Sequence, residues 1–451
     1  MTSQAQQLFR LQSHGATLLV LPDDSLPLVR FAIGLRHGAL VDPAGKAGRG
    51  RVMLDLLTRG TEQHDRRTWN AKLERLGTQL GVSMASDLGL LHGVTLERHF
   101  EATLDLVTEA LLRPALADAE RRDLTDELKE QLESERDDDE ALLELFWRRA
   151  LYPGHPLWRR PAGEPAELEA LSSADIRAAH DTHLTPAELI IACTGDLTPQ
   201  AAEALFAPLL TALPKHSSPN ASVPSFPQPQ GLELWVVDKP ERTQAQLAVG
   251  CLALSGADPD MYAFWLGTTA FGGTFTSQFT REVRDMRGWS YSAHAELARR
   301  RPYKTPLALK TAPAIEDAVD CLELELGLYA KLAAGELLPG AVDFARAYLV
   351  NRHPLELATT ADLLVPALRN ELLGLAPEEL FRVPERLCAL DGEAVSAALS
   401  RHLDPAHVLG VMVATADKVV NELRERFPTA RVRVVDFRDD GCVPPHEGAQ
   451  R

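Results

Sequence analysis

The chain has 451 residues, 45% hydrophobic and 25% charged, with a formal net charge of -17. At roughly 150 residues per domain it is long enough for more than one hydrophobic core, and its acidic balance argues against a nucleic-acid or anionic-membrane partner, both of which need clustered Lys and Arg. Its five cysteines, Cys193, Cys251, Cys321, Cys388 and Cys442, are widely spaced and never form CxxC, which argues against a disulfide framework or a zinc knuckle and suits a reducing compartment.

The N-terminal stretch lacks the basic and apolar regions of a secretory signal, and no apolar run reaches membrane-spanning length, so a cytoplasmic protein is expected. Ala16 to Val20 and Leu28 to Gly34 flank the turn Pro22-Asp-Asp-Ser25 and read as a strand pair. A helix with the sequence GRGRVMLDLLTRGT follows from Gly48, closed by Gly60-Thr61, and Phe100 to Arg113 is a strongly periodic helix. The acidic stretches Glu127 to Glu133 and Glu135 to Glu140 read as solvated surface. Leu171 to His180 starts with a capping-box-like Ser172 and Asp175, runs into His183-Leu-Thr-Pro186, and gives way to the apolar run Leu189 to Cys193. Thr198-Pro199 then supplies an N-cap and an N1 proline for a helix through Leu213.

Residues 214–231 (PKHSSPNASVPSFPQPQG) break all periodicity and divide the chain nearly in two. The second half echoes the first. Leu232 to Val237 and Gln244 to Leu252 flank Lys239-Pro-Glu-Arg242, Ile315 to Leu332 is a periodic helix, and Leu390 to Leu399 leads through His402-Leu-Asp-Pro405 into the apolar run Val408 to Val413. His183 and His402 stand nearly half the chain apart, which points to a duplicated domain. The expected organisation is two α+β domains, 1–213 and 232–451, joined by the linker 214–231, each with helices on a largely antiparallel sheet. The tail from Asp439 to Arg451 is expected to fray.

The segment ending in Gly60-Thr61 resembles the pitrilysin/insulinase (inverzincin) family of zinc peptidases, whose members carry HxxEH on the helix running into such a Gly-Thr. The resemblance extends through Leu151-Tyr-Pro-Gly-His-Pro156, the helix and strand around His183, Asp238-Lys-Pro-Glu-Arg-Thr-Gln244, Phe271-Gly-Gly-Thr-Phe-Thr-Ser-Gln278 and Arg287-Gly-Trp-Ser-Tyr291. Each match is short; their order and spacing carry the resemblance over essentially the whole chain. It implies two homologous metallopeptidase-like domains forming half of a clamshell.

Zinc hydrolysis on that helix needs two imidazoles one turn apart and a Glu to take a proton from the bound water. Here those places hold Arg51, Leu54 and Asp55. Arginine brings a permanent positive charge and leucine accepts no proton, so no metal is expected on this chain. Arg51 and Asp55 are spaced to form an i,i+4 ion pair instead. The family's third ligand is a Glu on a later helix, and Glu127 and Glu130 both lie near its distance, each also readable as a solvated helix face. His180 and His183 have no obvious acidic companion, and capping or packing is expected of them; His37, His64, His92, His99 and His294 are isolated and read as structural.

The second half keeps what the first has lost. Family members place an Arg and a Tyr seven positions apart in the half opposite the zinc, where the pair resembles a two-pronged grip on the substrate carbonyl; Arg284 and Tyr291 stand there, after Gly272-Gly273, and Arg287 competes for the first role. A guanidinium fork with a phenol can hold a carbonyl and its oxyanion, and the glycines would let backbone approach closely or turn at positive φ. The resemblance thus implies the zinc-less subunit of a heterodimeric peptidase. A homologous partner would supply zinc, and Arg284 and Tyr291 would act on peptide substrates in trans. The alternatives are a purely structural subunit, like the core proteins of respiratory complexes, and an active enzyme with unusual ligands.

Overall fold

The computed structural model describes residues 7–36, 38–215, 226, 230–299 and 301–439. His37, most of the linker, and the tail with Cys442 lie outside the described residues. The chain forms two compact units, each built on one six-stranded sheet.

In the first unit β1 (Phe9–Ser13), β2 (Ala16–Pro22), β3 (Leu28–Arg36), β4 (Gln79–Met84), β5 (Leu88–Leu96) and β6 (Leu189–Gly195) lie in the order β1-β2-β6-β3-β5-β4. Every pairing is antiparallel except β2 with β6. β2 and β3, expected as a strand pair, are not neighbours: β6 lies between them. All seven residues of β6 are buried, and a strand with no polar face belongs at the centre of a sheet covered on both sides. The hairpin joining β1 to β2 turns through His14 and Gly15, both at positive φ, as a two-residue loop matched to the strand twist requires.

The second unit repeats this plan. β7 (Leu232–Asp238), β8 (Gln246–Leu252), β9 (Ala293–Leu297), β10 (Pro306–Thr311), β11 (Val408–Ala414) and β12 (Arg431–Asp436) run in the order β12-β7-β11-β8-β10-β9. Here β11, again buried throughout, separates β7 from β8. The difference is at one edge, where β12 comes from the C-terminal end and pairs parallel to β7, while β1 pairs antiparallel to β2.

Five helices of the first half matter below: α1 (Arg49–Leu56), α2 (Arg66–Arg75), α3 (Phe100–Leu112), α4 (Asp118–Ser134) and α5 (Asp139–Leu151). α3 follows its predicted period, burying Phe100, Leu104, Val107 and Leu111 in the first core together with α1 and α4. Ser172 and Asp175 form the expected reciprocal capping box, and Thr198 accepts from the Ala201 amide ahead of Pro199.

The compact units cross the division at the linker. Residues 133–158, with α5, belong to the unit of the second sheet, and residues 356–380, with the Thr360–Leu372 helix, to that of the first. Each central strand needs apolar cover on the face its own helices do not reach, and the exchanged helices supply it, α5 against β11 and β8 and the later helix against β6 and β3. Ion pairs fix both. Lys239 Nζ donates to the carbonyls of Arg136 and Asp137 and to Asp139, and Lys310 binds Glu144 and Glu296. On the first sheet Glu371 takes both nitrogens of the Arg10 fork and the Thr17 hydroxyl, and Arg369 donates to the buried Asp87.

One buried carboxyl has no cation among the described residues. Glu325, on the Ala318–Ala333 helix, accepts from Thr311 and Cys321, and its Oε2 has no partner among the described residues. Burial pushes its pKa up to about 8. A carboxyl whose folded pKa lies above the unfolded value contributes stability at low pH that is lost as pH rises through the folded value. Unfolding free energy is therefore expected to fall between about pH 4.5 and 8, by at most about 1.4 kcal/mol per pH unit, and Glu325→Gln to flatten that slope in urea titrations at several pH values.

Candidate functional site

α1 is held by its start. Gly48 sits at φ 89°, where a Cβ would meet Leu168, Gly163 and the Ala162 carbonyl, so only glycine fits. It offers no side-chain cap, and the missing acceptor comes from Asp42, whose two carboxylate oxygens accept from the amides of Gly48 and Gly50 at 3.0 and 2.9 Å. Arg159 clamps the carbonyls of Asp42 and Pro43, and burial pushes the Asp42 pKa up to about 6 against these contacts. Val52, Met53, Leu54 and Leu56 anchor the helix in the first core.

On the remaining face Arg51 Nε donates to Asp55 Oδ2 at 2.6 Å, the i,i+4 pair the spacing predicts. Leu54 is 0% exposed, so the place of the general base is apolar and sealed. Burial raises the Asp55 pKa, opposed by the hydrogen bond and charge of Arg51, and Arg59 and Glu127 are close enough to act on it. Of the two carboxylates considered on α4, both exposed, the structure brings Glu127 to the site and leaves Glu130 off it. Glu127 is taken by both Nη atoms of Arg59, which holds its pKa down. Arg59 also lies 3.5 Å from Glu120, which Arg66 binds at 3.1 Å. Arg59, one residue before Gly60-Thr61, was not among the residues picked out from the sequence; nothing there showed that it would reach α4.

A zinc ion does not fit this donor set. Arg51 is a cation where a ligand is needed, Leu54 has no donor atom, and Asp55 and Glu127 each bind a guanidinium. The histidines do not rebuild one. His180 Nε2 lies 2.8 Å from the Leu111 carbonyl, and His183 Nε2 lies 3.2 Å from Arg49, which is packing and capping as expected. Among the described residues one cluster, Asp258, Asp260 and His402, holds its ligand atoms within 4.8 Å of one another, and there Asp260 is already bonded to Arg401 and His402. α1, α2, β4 and α4 line an open pocket of about 550 Å³ that includes Arg51, Asp55, Arg59, Trp69 and Glu127.

In the second unit the Met261–Gly272 helix ends at Gly273, and the chain returns through a short helix whose last turn, Arg281–Asp285, is π-helical. Gly273 has φ -90° and Gly272 is likewise outside the positive region, so the positive-φ alternative is corrected. Close approach is the reason for both glycines: a Cβ on Gly272 would lie 2.6 Å from the Ala295 Cβ, and one on Gly273 2.7 Å from the Thr269 Cα. Arg284 donates to Asp285 at 2.9 Å and stacks with its Cζ 3.5 Å from the Phe275 ring centre. Its Nη1 is buried with no acceptor among the described residues. Tyr291 is 85% exposed. Arg287, the competitor, is committed to the carbonyl and carboxylate of Glu282.

The geometry at α1 is that of a helix whose described residues do not offer a zinc ligand set. Residues 170–320 match the family model for the peptidase M16 inactive domain. Over 283 residues the chain is 24% identical to an uncharacterised zinc protease of Mycobacterium leprae, covering 61% of this chain and 62% of that one, and over 282 residues it is 18% identical to the uncharacterised zinc protease YmxG of Bacillus subtilis, covering 62% and 68%. The chain thus spans about three-fifths of the curated relatives it matches. Among solved structures, a peptidase M16 inactive domain from Pseudomonas fluorescens superposes with TM-score 0.84 at 21% identity, covering 90% of this chain and 98% of that one. The periplasmic protease PqqL of Escherichia coli does so with TM-score 0.77 at 13% identity, and this chain covers only 52% of it. In sequence and in fold the chain is thus similar to pitrilysin/insulinase-like (M16) peptidases, a peptidase M16 inactive domain among them.

Asp42→Ala is expected to lower stability by about 1–2 kcal/mol, because it leaves two buried amides at the start of α1 without an acceptor. Denaturant titration of the two proteins side by side checks this.

Proposed function

We propose that this chain is the zinc-less subunit of a heterodimeric zinc peptidase, and that Arg284 and Tyr291 hold the scissile carbonyl of a peptide at the zinc of a homologous partner chain. The observation that carries this reading is the state of Arg284. Asp285 and Phe275 fix its guanidinium, while Nη1 stays buried and unsatisfied. An unpaired buried donor costs about 1–3 kcal/mol in a free protein, and a carbonyl oxygen that accumulates charge is the acceptor that would gain most from it. Tyr291, exposed seven residues on, would supply the neutral second donor.

A zinc-bearing partner would supply what α1 lacks, a group to activate water. The architecture of PqqL, nearly twice the length this chain matches, is consistent with pairing between homologous halves. A cytoplasmic setting fits the free cysteines Cys193, Cys251, Cys321 and Cys388.

The test is co-expression with an HxxEH-bearing homologue from the same cell and assay of the purified complex on a peptide library. This chain alone should cleave nothing. In the complex Arg284→Ala should lower kcat/KM by about 10²–10³-fold, the range for loss of an oxyanion donor, and Tyr291→Phe by about tenfold, with assembly unchanged by gel filtration. Undiminished cleavage by both variants would remove the assigned role, and a stable complex inert on every peptide would favour a purely structural subunit.

A further inference from the structure

The pocket beside the altered motif has lost the means to hold a cation and gained the means to hold an anion. Of the carboxylates lining it, Glu74 is exposed to solvent, and Asp55 and Glu127 each bind a guanidinium. Arg51 uses only Nε for that purpose, and its Nη1 and Nη2, the outward fork, make no hydrogen bond among the described residues. That fork matches the two oxygens of a carboxylate in geometry as well as charge.

A second observation is independent of the first. Trp69, 1% exposed, lines the same pocket, and its indole Nε1 has no acceptor among the described residues. An indole N–H can only donate, so its missing partner is again an acceptor. The same lining combines the leucines Leu73, Leu80 and Leu128 with the polar Asn70, Thr78 and Gln79. Donors set beside a few leucines in a mixed wall, in a volume of about 550 Å³, suit a carboxylate carried on a body of one or two residues with an apolar side chain.

We propose that the pocket beside the altered motif is a carboxylate-binding site, with the Arg51 fork holding the C-terminal carboxylate of a peptide that ends in a large apolar residue, the Trp69 Nε1–H donating to an oxygen of that terminal residue, and the leucines taking its side chain. The site lies wholly on residues of the first unit. It requires neither a zinc-bearing partner nor Arg284, so its failure and that of the peptidase reading are separable.

The test uses the full chain alone and three probes in calorimetric or NMR titration: N-acetylphenylalanine, its amide, and a tetrapeptide ending in phenylalanine with a free C-terminus. The acid and the tetrapeptide should bind, with the amide at least tenfold weaker. A tetrapeptide binding tighter than the acid identifies a peptide end as the ligand, whereas a tetrapeptide that fails beside an acid that binds overturns that assignment. Arg51→Gln, which keeps a donor for Asp55 and removes the charged fork, should weaken the acid at least tenfold in a protein of unchanged thermal midpoint. If that variant does not fold, the comparison of acid with amide on the unaltered chain decides alone. Equal binding of acid and amide, no binding of either, or full binding by a folded Arg51→Gln chain would each overturn the proposal.

Discussion

A guanidinium cannot give up its proton at any pH a protein meets, and that property of Arg51 and Arg59 governs everything around α1. A buried carboxylate such as Asp55 must find a counter-charge, be hydrogen-bonded, or become neutral. In a metallopeptidase a divalent ion answers such a need; here two permanently charged side chains of the same polypeptide answer it. Asp55 is satisfied within its own helix and Glu127 across to α4, so the helices are joined by ion pairs where a ligand set would otherwise join them. The sealing of Leu54 in the core completes the change, since an acidic side chain there would have to be buried without a partner.

α1 is held in place without a metal. Its position rests on Asp42 and on the left-handed Gly48, neither of which depends on a metal. The same holds in the second unit. Gly272 and Gly273 exist so that the Met261–Gly272 helix can approach β9 and pack its own last turn without a side chain between, and that packing sets the start of the segment carrying Arg284. The two units share one strand order and differ at an edge strand and in their polar groups, one holding ion pairs at α1 and the other the buried Nη1 of Arg284 and the exposed Tyr291.

Much of this was legible in the sequence, for reasons that can be named. The capping box at Ser172 and Asp175, the Thr198-Pro199 start and the period of α3 are local signals, written in side chains a few residues apart, and they appear as read. The ion pair of Arg51 and Asp55 is local in the same sense. What was not legible depends on contacts distant in sequence. Nothing near Ala16 or Leu28 says that β6, arriving from Leu189, will part them; its unbroken burial is the cue, and only in hindsight does that imply a central place. The exchange of α5 and the Thr360–Leu372 helix leaves no local mark, since Glu371 and Arg10 are as ordinary on paper as any surface pair. Arg59 and Trp69 were missed similarly, their partner or lack of one being set by α4 and the pocket. For the two glycines, both reasons for a glycine were open until the backbone angle and the neighbouring Ala295 decided between them.

The central claim is that the water-activating ion belongs to another polypeptide. Metal analysis of a complex purified with its zinc-bearing homologue, followed by separation of the two chains under native conditions and a second analysis of each, addresses it directly. The account predicts one zinc per heterodimer, all of it travelling with the homologue. Zinc in a one-to-one ratio on this chain, lost when Asp55 and Glu127 are both changed to Ala, would contradict it.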